Sequence, residues 1–335
     1  MPTIDRRSML AGSVALAAVA AVPAAGQSPN SKLLAGKAIL ITGTSSGFGR
    51  LGALLYARQG AKVFATMRGL PRPEADELKK IAADEKLDLT VMPLDVLSDE
   101  QVASTIAAAE KQAGGALDIL VNNAGVVIGG PIELQDIEAM RLAFDTNVFG
   151  YQRTARAVLP AMRKRKSGLI VNVSSQQGRV IMPGMGVYAP TKFAVEALSE
   201  QMAYEVAPHG IEVLIIQPGG FPTNVGANRA RYTKQVADRA EPIHAAGYPE
   251  MMASMSRTPP PSSGQASALS GIDPNDVPRA IAEIAAMPAG QRPLRRPVHP
   301  GNKPQLEINR VSRETQLTLL GGGPYAEWAR AVLDG

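Results

Sequence analysis

The 335-residue chain has no cysteine, three histidines and a single tryptophan, Trp328. Without cysteine there is no disulfide, no thiolate nucleophile and no cysteine-bound metal. His209, His244 and His299 stand far apart without ligand spacing, so no metal site is expected. Charge imbalance is also small: the formal net charge is +5 at pH 7, too mild for a nucleic-acid binder. The one dense basic run, Arg163-Lys164-Arg165-Lys166, falls at the end of a predicted helix, where cations complement the helix dipole and solvate a turn. The uncharged stretch from Met9 to Val22 is short of the ~20 residues that a membrane-spanning helix needs.

What the chain does have is apolar material for one large core, 45% of its residues, and a clear division at its N-terminus. Arg6-Arg7-Ser8-Met9-Leu10 leads into an Ala/Val-rich run and then into Pro23-Ala24-Ala25-Gly26, small residues suited to signal cleavage. Residues 1–26 therefore read as a signal peptide. The paired arginines resemble a twin-arginine export signal, although Met9 and Ala11 stand where that signal prefers Phe and Lys. Export to the periplasm is the expectation, with an uncleaved membrane anchor or a cytoplasmic protein as the alternatives. Residues 27–36 read as a linker.

From Lys37 strand and helix alternate. Ala38-Ile39-Leu40-Ile41 has the character of a strand buried on both faces, and it breaks into Thr42-Gly43-Thr44-Ser45-Ser46-Gly47-Phe48-Gly49 before a helix at Leu51–Gln59. Glycines there permit a tight turn and close approach of a ligand, and the helix N-terminus offers N–H groups to a pyrophosphate. A second strand, Lys62–Thr66, ends at Met67-Arg68, the place where an acid would bind a free ribose 2′-hydroxyl and an arginine a 2′-phosphate. Arg68 thus favours NADP(H), with NAD the alternative if it is only a surface arginine. Ser45 or Ser46 could add a hydroxyl donor.

Further strands are predicted at Asp88–Met92, Ile119–Val121, Leu169–Val173 and Val213–Ile216. The second of these runs into Asn122-Asn123-Ala124-Gly125, the third into Ser174-Ser175 and the fourth into Gln217-Pro218-Gly219. Ser98-Asp99-Glu100-Gln101 reads as a capping box and Gly114-Gly115 as the stop of the helix it opens. A long helical region spans about 137–165, with Asn147 inside it. With right-handed crossovers, this alternation predicts an α/β fold, a doubly wound parallel sheet of the Rossmann type in a single domain, with its site at the carboxyl ends of the strands. In the predicted helix that follows, Tyr188 and Lys192 lie four apart and share a face, so the ammonium can favour the ionised phenol and make it a proton donor and acceptor.

Thr42-Gly43-x-x-x-Gly47-x-Gly49, Asp95, Asn122-Asn123-Ala124-Gly125, Asn147, Ser175, Tyr188-x-x-x-Lys192 and Pro218-Gly219-x-x-x-Thr223, in this order, resemble the short-chain dehydrogenase/reductase family. The resemblance covers about 37–284. It implies a hydride-transferring oxidoreductase acting on a carbonyl or secondary alcohol, with catalytic residues Asn147, Ser175, Tyr188 and Lys192. Ser175 stands thirteen residues before the tyrosine, as the family's serine does, and Ser174 is its rival. The implied cofactor site comprises Gly43, Ser45, Ser46, Gly47, Phe48, Gly49, Arg68, Asp95, Val96, Asn123, Ala124, Gly125, Tyr188, Lys192, Pro218, Gly219 and Thr223. Within it, Asp95 would bind the adenine amino group, Thr223 the carboxamide and Lys192 the nicotinamide ribose, while Asn147 would position a relay water.

The dinucleotide-binding domain is placed at 37–290. It includes a substrate lid at about 221–270, where Met251-Met252-Ala253-Ser254-Met255 precedes Pro259-Pro260-Pro261-Ser262-Ser263-Gly264. The methionines either adapt to apolar ligands or fill gaps. Asp273–Ala286 and Phe64–Arg68 resemble hydroxysteroid- and retinol-type members, which implies a bulky, apolar alcohol or ketone. Residues 291–335 read as a C-terminal extension, and a homodimer or homotetramer is expected. Two other readings compete: a dinucleotide sensor without turnover, which has no need of a proton relay, and a structural oligomer, which leaves the polar motifs unexplained.

Overall fold

The computed structural model describes residues 32–256 and 271–334. The signal peptide and the proline-rich run 259–264 lie outside the described residues. The first half of the chain runs β1 (Ala38–Thr42), α1 (Gly47–Arg58), β2 (Lys62–Met67), α2 (Pro73–Asp84), β3 (Leu89–Pro93), α3 (Asp99–Ala113) and β4 (Ile119–Asn122). Then follow α4 (Ile137–Phe144), a π-helical turn at Asp145–Phe149, α5 (Gly150–Arg165), β5 (Gly168–Val173), α6 (Tyr188–Val206) and β6 (Ile211–Pro218). The chain closes with α7 (Val225–Arg239), α8 (Pro242–Ala245), α9 (Pro249–Ser256), α10 (Asp276–Ala286), β7 (Arg295–Val298), α11 (Gln305–Leu320) and α12 (Ala326–Leu333).

All strands pair in parallel, in the order β3-β2-β1-β4-β5-β6-β7. Side chains alternate across each strand, and here the alternation sorts two cores onto opposite faces. Ile39, Ile41, Val63, Ala65, Val121, Val171 and Ile216 share one cluster with α1 and α10. Their neighbours Leu40, Phe64, Leu120, Ile170 and Ile215 share the other with α3, α5 and α6. Because both faces are covered, the inner strands are apolar at nearly every position, as expected for a parallel sheet. Strand order reverses between β1 and β4, and the crevice above that point is where such sheets bind ligands.

The predicted ends of α3 are observed. Ser98 Oγ accepts from Gln101 N at 3.1 Å, and Gly114 takes the left-handed conformation at φ 77°. The return half of the capping box differs, since Gln101 Oε1 accepts from Asp95 N rather than from Ser98; Ser98 N already donates to Asp95 O. In the basic run, Arg165 donates to the carbonyls of Ala116 and Leu117 and pairs with Asp118 at 3.1 Å, joining α5 to the start of β4.

Four expected boundaries move. Helix α1 begins at Gly47 instead of Leu51, so the last two glycines of the turn belong to its first turn. The helical region at 137–165 is divided by the π-helical turn that contains Asn147. Leu34, placed in the linker, is 1% exposed and packs in the core with α1. Residues 295–298, placed in the extension, form edge strand β7 on β6, so the sheet continues past 290 and 32–335 forms one compact unit. No described helix is long and apolar enough to cross a membrane.

Candidate active site

Buried threonine and asparagine side chains fix the floor of the crevice. Thr42 Oγ1, at the end of β1, accepts from the backbone N–H groups of Asn123 and Ala124, each at 3.0 Å. Asn123 returns the contact by donating to the carbonyls of Thr42 and Gly43. Asn122 donates to Asn172 Oδ1 at 2.9 Å, and Asn172 to Ser199 Oγ at 2.8 Å, which ties β4, β5 and α6 together. Side-chain pairing of this kind satisfies polar groups that burial would otherwise leave costly.

The glycine turn fits against this floor without room to spare. A Cβ added at Gly49 would lie 2.2 Å from Gly43 O, and one at Gly43, whose φ is +74°, would lie 2.8 Å from Ala124 Cα. Ser46 occupies the N-cap of α1 without a capping hydrogen bond from its side chain, and Ser45 is half-buried beside it. Thr223 comes over the turn from the far side, since a Cβ at Gly47 would meet Thr223 Cβ at 3.7 Å. Phe48 stacks edge-on against Phe221, with ring centroids 5.5 Å apart. Gly219, after Pro218, donates its N–H to Val298 O of β7 at 3.0 Å.

Arg68 is exposed at the end of β2 and makes no ion pair with a carboxylate among the described residues. Its Nη2 donates to Tyr232 OH on α7 at 3.1 Å. At the end of β3, Asp95 accepts from Leu97 N at 3.1 Å. Val96 is committed internally: its side chain packs on Gly150, and its carbonyl accepts from Arg153 at 3.1 Å. The structure brings Gly43, Gly47, Phe48, Gly49, Asn123, Ala124 and Thr223 together, with Asp95 and Val96 in the next strand's loop.

The Tyr188 constellation sits where β5 ends and α6 begins. Lys192, 5% exposed, donates from Nζ to Val173 O at 2.8 Å, and Tyr151 OH donates to the same carbonyl at 3.0 Å. The ammonium lies 5.8 Å from the Tyr188 ring centroid and 5.4 Å from that of Tyr151. Burial raises the Tyr188 phenol above its ordinary pKa, and a hydrogen bond with Ser175 acts against that rise. Burial pushes Lys192 down to about 8, while the Glu196 carboxylate acts to raise it. The two serines diverge. Ser175 faces Tyr188, whereas Ser174 Oγ is buried without a partner beside Gly178, toward Glu196.

Asn147 is fully buried, and its side chain has no spare donor. Oδ1 accepts from Val126 N at 2.8 Å, and Nδ2 donates to Val126 O at 2.9 Å and to Thr191 Oγ1 at 3.0 Å. Thr191 in turn donates to Tyr188 O at 2.7 Å, so Asn147 clamps the loop after β4 to the first turn of α6. Gly125 approaches closely: a Cβ there would lie 3.2 Å from Asn147 Oδ1. Tyr151, Thr191 and Glu196 were not singled out in the sequence, and Thr42 was named in the glycine motif without its hydrogen bonds to the β4 loop. Glu196 alone carried a local signal, standing four residues after Lys192 as Tyr188 stands four before.

A family model described as short chain dehydrogenase matches residues 37–233. The 3-ketodihydrosphingosine reductase of Bacteroides thetaiotaomicron is 38% identical over 205 residues, 61% of this chain and 71% of that protein. Retinol dehydrogenase 8 of Bos taurus is 36% identical over 265 residues, 78% of this chain and 80% of that protein. Among solved structures, a short-chain dehydrogenase from Streptomyces avermitilis superposes with a TM-score of 0.62 at 30% identity, covering 85% of this chain and 97% of that one. A gluconate 5-dehydrogenase from Burkholderia cenocepacia, in complex with NADP and tartrate, gives a TM-score of 0.55 at 30% identity, covering 62% and 82%.

Proposed function

The chain belongs to the short-chain dehydrogenase/reductase family, whose members bind NAD(P), and from that premise we propose an NADP(H)-dependent enzyme that interconverts a bulky, apolar alcohol and its carbonyl compound. The observation that carries this reading is the convergence of Ser175, Tyr188 and Lys192 at the end of β5, with the lysine tied to the strand that carries the serine. A phenol buried as Tyr188 is cannot readily ionise near neutrality without a cation beside it, and Lys192 supplies that cation. Tyr188 gives its proton to the substrate oxygen in reduction and takes it back in oxidation. Ser175 donates a hydrogen bond to the same oxygen and stabilises the charge developing there. Both Nδ2 donors of Asn147 are committed to Val126 and Thr191, which its side chain holds in place, so a relay water at this residue would be bound by one of its carbonyl acceptors and not by its amide N–H groups.

The residues fit a dinucleotide. The space a Cβ would fill at Gly49 is already taken by Gly43 O, so this turn can bring bare backbone and the open N-terminus of α1 to a pyrophosphate. Ser45, Ser46, Gly47 and Phe48 would line that end, Arg68 would pair with a 2′-phosphate, Asp95 would take the adenine amino group, and Thr223 the carboxamide. The bound nicotinamide supplies or accepts the hydride. Support for an apolar substrate comes from exposed Ile181 and Met182, between Ser175 and Tyr188, and Val225, two residues past Thr223. Relatives named for retinol and for 3-ketodihydrosphingosine agree with that chemistry. We also propose that residues 1–26 direct export, on the strength of Arg6-Arg7 and the short apolar run behind them.

The test is a panel of long-chain and cyclic ketones and secondary alcohols assayed with NADPH or NADH and with their oxidised forms. Turnover of at least one apolar pair is expected, faster with the 2′-phosphorylated cofactor. Tyr188→Phe should remove that turnover while leaving cofactor binding in place. A Tyr188→Phe enzyme that keeps most of its activity would end the assignment.

A further inference from the structure

Glu196 has no part in the chemistry proposed above, yet it lies one helical turn beyond Lys192 on the same face of α6. It is 2% exposed. The two residues pack on one glycine: a Cβ at Gly178 would lie 2.9 Å from Glu196 Cγ and 3.0 Å from Lys192 O. Both carboxylate oxygens are engaged. Oε2 accepts from Arg295 Nε at 2.8 Å, and Oε1 accepts from Gln217 Nε2 at 2.9 Å. Gln217 is held in turn by Asn309 Nδ2 on α11, which donates to its Oε1 at 2.7 Å. Arg295, on β7, also pairs with Glu200, one turn further along α6.

A buried ion pair adds little net stability over apolar packing of the same volume, so this one beside the working lysine calls for another reason. Around Lys192 stand Tyr188 and Glu196 from α6 and Tyr151 from α5. Around Glu196 stand Lys192, Arg295 and, from the loop after β5, Arg179, which also feels Glu200 and Arg295. Tyr204 OH donates to Glu200 at 2.6 Å. Within this set Glu196 is the negative charge that favours the protonated lysine, against a burial that disfavours it.

We infer that Glu196, fixed by Arg295 and Gln217, is a positioning residue that presents a constant negative charge to Lys192, so that β7 and α11 help to set the state of the catalytic helix. The inference rests on the role given to Lys192 under the proposed function. It extends that site to a strand 99 residues away in sequence, and Glu196, buried with both carboxylate oxygens engaged, acts through Lys192.

The test titrates Lys192 directly, by carbon NMR of the full chain grown with Cε-labelled lysine, the Lys192 signal being the one lost in Lys192→Met. Glu196→Gln should move the Lys192 midpoint down by about one unit. Glu196→Asp, which keeps the charge, should stay near wild type. Arg295→Gln, which leaves the carboxylate unbalanced, should move the midpoint up. An unmoved midpoint in Glu196→Gln, or shifts of the same sign in Glu196→Gln and Arg295→Gln, would overturn the inference. If the glutamine variant at 196 does not fold, Glu196→Asp and Arg295→Gln decide: a midpoint that Arg295→Gln leaves unmoved or lowers sinks the idea. Because the readout is not turnover, it is independent of Tyr188→Phe. Lost activity in that variant with an unmoved Lys192 midpoint sinks the role of Glu196 alone, and the reverse pairing sinks the proposed chemistry alone.

Discussion

Lys192 is held in surroundings that work against its own charge, and that opposition gives it a pH signature in stability. Burial places its folded-state pKa at about 8, below the ordinary 10.5. Below pH 8 both folded and unfolded chains carry the proton, and the folded state bears the full cost of a buried cation. Between about 8 and 10.5 the unfolded chain binds more protons, so the lysine's penalty fades and stability rises with pH. The penalty is worth about 3 kcal/mol at neutral pH. Denaturant midpoints of wild type and Lys192→Met, followed across that range, should therefore converge toward high pH; parallel curves would mean that the buried ammonium carries no such cost. Arg68 gives a second test at this scale. With its guanidinium hydrogen-bonded to Tyr232 OH and in no ion pair among the described residues, Arg68→Ala should weaken NADPH binding by roughly 1.5 to 3 kcal/mol and hardly change NADH binding. Equal losses for both cofactors, by titration, would make it a structural arginine. These individual side chains were legible because their chemistry is local: Tyr188 and Lys192 share one helical face, and Arg68 ends a strand. Tyr151, Arg295 and the contacts of Thr42 were not, because each acts on a partner brought near only by the folded sheet.

At the scale of elements, β1 to β6 were all legible in the sequence: β1, β2, β4, β5 and β6 are nearly continuous apolar runs buried on both faces, and β3, expected at Asp88–Met92, lies at Leu89–Pro93 although it is only half-buried. Strand β7 was hidden. Arg295-Arg296-Pro297-Val298 shows neither an apolar run nor alternation, and a proline is tolerated only because this is an edge strand. The π-helical turn was hidden for a different reason: no residue type marks it, and Asp145-Thr146-Asn147-Val148-Phe149 reads as ordinary helix. Its consequence is large, because the widened turn sets Asn147 between Val126 and Thr191. The late elements are integral to the fold. A chain ending after residue 290 would strip Arg295 from Glu196 and Glu200 and leave two carboxylates unpaired in or near the core. Removing one partner of a buried pair costs about 3 to 5 kcal/mol, comparable with a large share of a domain's total stability. Such a truncation should be expressed in aggregated or unfolded form, as judged by circular dichroism and gel filtration. A truncated chain that melts cooperatively near the wild-type temperature would show that β7 is dispensable.

For the whole molecule, two of the proposals bear on each other: export directed by residues 1–26 and a crevice that takes NADP(H). A cofactor that binds only the folded state stabilises it by mass action, so an enzyme exported after folding has reason to bind its nucleotide first. The compartment outside the inner membrane is not expected to supply free NADPH. The proposed export therefore carries a corollary, that the enzyme crosses with nucleotide bound and regenerates it by coupling the oxidation of one substrate to the reduction of another. Cells expressing the full chain should yield mature protein in the periplasmic fraction, and Arg6→Lys with Arg7→Lys should hold it in the cytoplasm. The exported protein, purified without added cofactor and then denatured, should release nucleotide detectable by an enzymatic cycling assay. Protein confined to the cytoplasm in both strains would end the export proposal. Exported protein that releases no nucleotide would leave export standing and remove the recycling scheme, since an empty enzyme in that compartment would have nothing to recycle.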